Sequence, residues 1–108
     1  MADLRWNRDF AFEQSGDDEE LLAELLELLH ESSLADLDKI TTAEAGNDAV
    51  TMGEAAHSIK GAAASLGVEG LREVAYELEK AGRSDDLSQA TSFVAPLKEL
   101  IDQLGTLK

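Results

Sequence analysis

The sequence predicts an all-α protein, an up-and-down antiparallel four-helix bundle with a short additional N-terminal helix. Three features predict it. Apolar residues recur at spacings of three and four along four separate segments, which is helical periodicity. Ala, Leu and Glu are abundant, with a single proline among 108 residues. No run of alternating β-branched residues suggests a strand. A chain of this length shares one core, so residues 1–108 read as a single domain, with the N-terminal helix over about 3–14 and the bundle over about 17–106.

Each element has its own signals. Trp6 and Phe10, four apart, would face the same way on the N-terminal helix, which lids one end of the bundle. The first long helix starts after Ser15-Gly16, where Asp17 stands three residues before Glu20 in a capping-box-like arrangement. Its apolar stripe runs Leu22, Leu25, Leu26, Leu29, Leu37 and Ile40. Asn47 or Asp48 caps the second helix, which runs to Leu66 and is stopped by Gly67, suited to the left-handed C′ position. The third, from about Glu69 to Ala81, buries Leu71, Val74, Ala75 and Leu78 and is ended by Gly82-Arg83-Ser84. The fourth starts near Asp85 or Asp86 and buries Phe93, Val94, Leu97, Leu100, Ile101 and Leu104. Pro96 inside that pattern implies either a kink or two shorter helices meeting just before it. Short connections make the four long segments antiparallel neighbours.

Composition narrows the function. Hydrophobic residues make up 44% and charged residues 30%, the balance of a folded domain and not of an acidic tail. The net charge of −14 repels phosphate backbones and anionic lipid surfaces, so neither nucleic acid nor membrane is an expected partner. Without cysteine there is no disulfide framework and no thiolate zinc site. Met1-Ala2-Asp3-Leu4-Arg5-Trp6 has neither a basic n-region nor an apolar h-region, and a cytoplasmic, monomeric protein is expected. Met1 close to the first helix suggests a free-standing module.

The second helix carries the chemistry. At about 100° per residue, Met52, Ala55, Ala56, Ile59, Ala62, Ala63 and Leu66 form one apolar arc that faces the core. His57 lies roughly 170° from the centre of that arc and points into solvent. Its outward neighbours are Val50, Gly53, Lys60, Gly61 and Ala64, and two helix-interior glycines, each about 1 kcal/mol worse than alanine, flank the imidazole. Composition alone permits incidental glycines around a surface histidine. The sharper expectation is that they clear space for a large partner.

His57-Ser58-Ile59-Lys60-Gly61, followed by Leu66-Gly67, resembles the His-x-x-Lys-Gly-x-x-x-x-Leu-Gly pattern of histidine-containing phosphotransfer (HPt) domains. The run from Asp18 to Leu29 is similar to the family's first long helix, and Leu78-Glu79 to the close of the helix after the motif. The resemblance implies that His57 takes a phosphoryl group from an aspartyl phosphate on a response-regulator receiver domain and passes it to another receiver's aspartate. It also implies that Lys60 offsets the phosphoryl charge and that Val50, Gly53, Glu54, Gly61 and Ala64 face the docked receiver. Leu66 and Gly67 complete the structural motif. Partners would be receivers and a hybrid sensor histidine kinase. The chain itself needs no cofactor, Mg²⁺ being expected on the receiver.

Two rivals remain. Glu27-Leu28-Leu29-His30 and Glu54-Ala55-Ala56-His57 are both Glu-x-x-His, the ligand set of di-iron carboxylate bundles, but such ligands project inward whereas Glu54 and His57 face outward. The other is a plain helical interaction module with His57 incidental. His30 is expected near the solvent edge of the first long helix. Beyond His57 the sequence shows no pocket-forming constellation and no phosphate-cradling glycine loop, so a phosphoryl carrier without ATP-dependent kinase activity is expected.

Overall fold

The structure, a computed structural model, describes residues 2–107. It contains helices α1 (Arg8–Gln14), α2 (Glu19–Ala45), α3 (Ala49–Ser65), α4 (Glu69–Arg83) and α5 (Leu87–Leu104). The expected bundle is present. Helix α2 packs on α3, α3 on α4, α4 on α5, and α5 returns to α2, in a body of 42 × 22 × 20 Å. Leu22, Leu26, Leu29 and Ile40 meet Met52, Ala56, Ile59 and Ala63 in the core, with Leu71, Ala75, Leu78, Leu97, Leu100, Ile101 and Leu104 closing it. Leu25, Leu37, Val74, Phe93 and Val94 are only partly buried at its margin.

The N-terminal helix is shorter than the expected 3–14. Asn7 caps it, its Oδ1 accepting from the Phe10 amide at 3.1 Å, and the residues before it form a non-helical strap over the α3–α4 turn. The Asn7 amide donates to Gly67 O at 2.9 Å and the Gly70 amide to Leu4 O at 2.7 Å, while the Trp6 indole donates to Leu66 O at 3.0 Å. Trp6 and Phe10 therefore share no helix face. Gly67, at φ +69°, serves two ends at once. It turns the chain out of α3 with the Schellman pair Val68 N to Ala63 O at 3.0 Å and Gly67 N to Ala64 O at 3.3 Å. A Cβ there would also stand 2.9 Å from Asn7 O.

Caps set the other boundaries. Asp18, not Asp17, caps α2: its side chain accepts from the Glu20 and Leu21 amides at 3.0 and 3.2 Å, because Gly16 and Asp17 both take left-handed φ and turn the chain so that the next residue faces the free amides. Asp48 caps α3 through the Thr51 amide at 3.1 Å. Helix α5 runs unbroken through Pro96, with Ala90 ahead of the proline and Leu97, Leu100 and Ile101 after it all buried.

Helix α4 continues through Gly82 to Arg83 instead of ending at Ala81. Gly82 lies inside the helix because α3 touches it: a Cβ on Gly82 would fall 2.7 Å from Gly53 Cα and 2.8 Å from Ala49 O. Two helix backbones thus meet without intervening side chains. Gly82→Ala should force them apart and lower the unfolding free energy by about 1–3 kcal/mol, measured by urea titration.

Candidate functional site

Close contact of α3 and α4 builds the site. The buried stripe of α4, Leu71, Ala75, Leu78 and Gly82, also carries Glu79, whose side chain is only 3% exposed. His57 stands on α3 with its side chain 62% exposed, as its place on the wheel implied, but it does not stand free. Its Nδ1 is 2.7 Å from Glu79 Oε2, which also accepts from the Arg83 guanidinium at 2.7 Å. The other carboxylate oxygen, Oε1, faces the Lys60 ammonium at 2.6 Å. One buried carboxylate therefore joins the imidazole and two cations.

Burial pulls the Glu79 pKa upward, but the Lys60 contact, the His57 hydrogen bond and the charges of Lys60 and Arg83 outweigh it and hold the group below the ordinary glutamate value. Glu79 is thus ionised at neutral pH and can only accept. The proton of the His57–Glu79 bond consequently lies on Nδ1; in the neutral imidazole the lone pair is then on Nε2, an atom without a hydrogen-bond partner among the described residues.

A depressed carboxylate pKa contributes stability that is present above the unfolded-state pKa and lost as pH falls through the folded value. Glu79→Gln should therefore lower stability near pH 7 by about 1–3 kcal/mol, because it leaves Lys60 and Arg83 without their counter-charge. The deficit should narrow at an acid pH below that lowered folded-state value, where Glu79 in the wild type has itself lost its charge. Urea unfolding of both proteins at the two pH values measures this. An equal deficit at both would sink the charge explanation.

The sequence-predicted docking residues divide. Val50 is 68% exposed, Glu54 and Gly61 are exposed and Ala64 is half-buried. A Cβ on Gly61 would meet nothing within 4 Å, so that glycine does leave open space beside the imidazole. Gly53 does not: it is buried beneath α4, where a Cβ would already stand in van der Waals contact, 3.4 Å from Gly82 Cα. Leu66 and Gly67 are buried in the turn described above.

No pocket was expected beside His57, yet a cleft of about 500 Å³ opens between α3 and α4, lined by Val50, Gly53, Glu54, His57, Glu79 and Arg83 among others. Glu79 and Arg83 are the site residues that sequence reasoning missed. The available signal was a carboxylate four residues after Ala75 and one after Leu78, on a face otherwise apolar. A second groove between α2 and α3 is lined by Leu25, Leu28, Ser32, Ala62 and Ser65, with Leu28 59% exposed.

The two Glu-x-x-His segments do not converge. His30 lies against the end of α5, where a Cβ on Gly105 would stand 3.0 Å from its Cε1, and Glu27 is exposed. Among the described residues no three His, Cys, Asp or Glu side chains gather as metal ligands.

Fold and site together define a helical bundle of the histidine-phosphotransfer class. The Hpt domain family matches residues 24–107; the chain belongs to that family, and its function is histidine phosphotransfer in phosphorelays. Hpt domains work with receiver domains and hybrid kinases. Among solved structures, the chain is similar to histidine-containing phosphotransfer protein B (HptB) from Pseudomonas aeruginosa PAO1, with 21% identity, a TM-score of 0.87, and 95% of this chain and 90% of that one covered. It is also similar to the HPT domain of an Hpt sensor hybrid histidine kinase from Shewanella, with 26% identity, a TM-score of 0.76, and coverage of 97% and 95%. No curated protein matches the sequence. Among the described residues no helix is long and apolar enough to cross a membrane.

Proposed function

We propose that His57 is the phosphoryl acceptor and that the group is carried on Nε2. The bond from Nδ1 to Glu79 supports this most directly. In the transfer, the Nε2 lone pair attacks the phosphorus of a receiver's aspartyl phosphate. A P–N bond forms as the P–O bond to the aspartate breaks, and the bonding pair leaves with the aspartate carboxylate. Nε2 has no proton to lose, so no general base is needed. The imidazole becomes cationic as the bond forms, and the ionised Glu79 carboxylate, 2.7 Å from Nδ1, stabilises that charge where it develops. Return to a second receiver reverses these steps. Mg²⁺, which neutralises charge on the transferring group, would be held by the receiver.

Lys60 lies one turn from His57 and, held on Glu79 Oε1 at 2.6 Å, keeps a positive charge beside the phosphoryl position. Exposed Val50, Glu54 and Gly61, with half-buried Ala64, form the surface a receiver meets. Residues 1–108 act as one domain, monomeric and cytoplasmic. The chain carries phosphoryl groups without phosphorylating itself from ATP.

Incubation with a phosphorylated receiver and Mg²⁺ should give acid-labile, base-stable phosphate on this protein, with ³¹P and ¹⁵N spectra placing it on Nε2. ATP alone should give none. Acid-stable label, or label on Nδ1, would contradict the assignment.

A further inference from the structure

Lys60 is a long, flexible side chain in a place where its charge must stay close to one atom. A lysine in water samples many rotamers, and confining it costs entropy. Here it is 26% exposed with Nζ 2.6 Å from Glu79 Oε1. A second group confines it: the Tyr76 ring on α4, whose centroid is 5.4 Å from Lys60 Nζ. Tyr76 precedes Glu79 by three residues, so ring and carboxylate leave α4 on adjacent parts of one face. The Lys80 ammonium lies over the same ring at 4.7 Å while paired with Glu77 Oε1 at 2.8 Å. The Tyr76 hydroxyl makes no hydrogen bond among the described residues, so what Tyr76 offers Lys60 is the electron-rich face of the ring.

We propose that Tyr76 is a positioning residue for phosphotransfer, acting through Lys60: its ring holds the ammonium on Glu79, one helical turn from His57. The proposal rests on the phosphocarrier role of His57. A tyrosine has few rotatable bonds and, anchored on a packed helix, presents a fixed surface to the mobile lysine. Without it, Lys60 would keep its charge but spend less time beside the imidazole. The substitution Tyr76→Leu retains apolar bulk and removes the ring. Tyr76→Phe retains the ring face and removes only the unpartnered hydroxyl.

Tyr76→Leu should slow transfer from a phosphorylated receiver by about two- to fivefold, the size of one partly exposed cation–π contact, and Tyr76→Phe should transfer at the wild-type rate. In the Lys60→Ala background, Tyr76→Leu should have no further effect. The readout independent of phosphorylation is ¹³C relaxation at Lys60 Cε. It should report a restrained side chain in the wild type and the Phe variant, and a more mobile one in the Leu variant, short of the exposed Lys98 because Glu79 still pairs with the ammonium. Unchanged Lys60 relaxation in Tyr76→Leu, a Phe variant as slow as the Leu variant, or an undiminished Leu effect without Lys60 would each overturn the proposal. Failure of the wild type to accept a phosphoryl group would instead remove the phosphocarrier role, whatever relaxation shows.

Discussion

His57→Gln is expected to abolish phosphoryl labelling completely, whether the donor is a phosphorylated receiver or phosphoramidate, while leaving the helical circular dichroism intact. The side chain is 62% exposed and contributes nothing to the apolar core. Glutamine can still donate a hydrogen bond to Glu79, so the stability change should stay within about 0.5 kcal/mol. His30→Gln should label normally, because His30 lies against Gly105 at the end of α5 and not in the α3–α4 cleft. Labelling that survived in His57→Gln and vanished in a folded His30→Gln protein would reverse the assignment.

Gly61→Gln should separate stability from function in opposite directions. A Cβ there meets no atom of a neighbouring element within 4 Å, so the substitution should improve helix propensity by a few tenths to about 1 kcal/mol without a clash at its branch point, and the unfolding midpoint should rise. The same side chain projects into the space one turn from His57 through which a receiver approaches. Displacing the reacting atoms by about 1 Å can cost on the order of a hundredfold in rate, and transfer from the receiver should fall by that order. Phosphoramidate needs far less room and should still phosphorylate His57. Wild-type exchange with a receiver in a folded Gly61→Gln protein would end the open-space explanation. The matching experiment at Gly53 has a different meaning, since a side chain there presses on α4 and tests packing.

The two glycines show how far the sequence could be read. On a helical wheel Gly53 and Gly61 are equivalent, each one turn from His57 and neither on the apolar arc. The wheel knows the direction of each position relative to its own helix and nothing of how wide a neighbour is. Helix α4 approaches so closely at Gly82 that it covers Gly53 and leaves Gly61 open. The same limit applied at the N-terminus. Trp6 and Phe10 have helical spacing, but the backbone groups of Leu4 and Asn7 pair with Gly70 and Gly67 across the α3–α4 turn, and those non-local bonds decide that the helix begins only at Arg8.

Glu79 is the instructive case among polar groups. Its position on the apolar face of α4 was visible, but a carboxylate at such a position is satisfied only by partners, and these come from another helix as well as its own: His57 and Lys60 from α3, Arg83 from α4. The chain's local periodicity determined its helical class, the turn at Gly67, the core face of each helix and the outward direction of His57, because each of these depends on residues within a few positions of one another. Only the tertiary structure decided which imidazole nitrogen is bound, which glycine is open and which cations share one carboxylate. Those outcomes depend on distances between helices, set by the side chains, and the missing side chains, that pack between them.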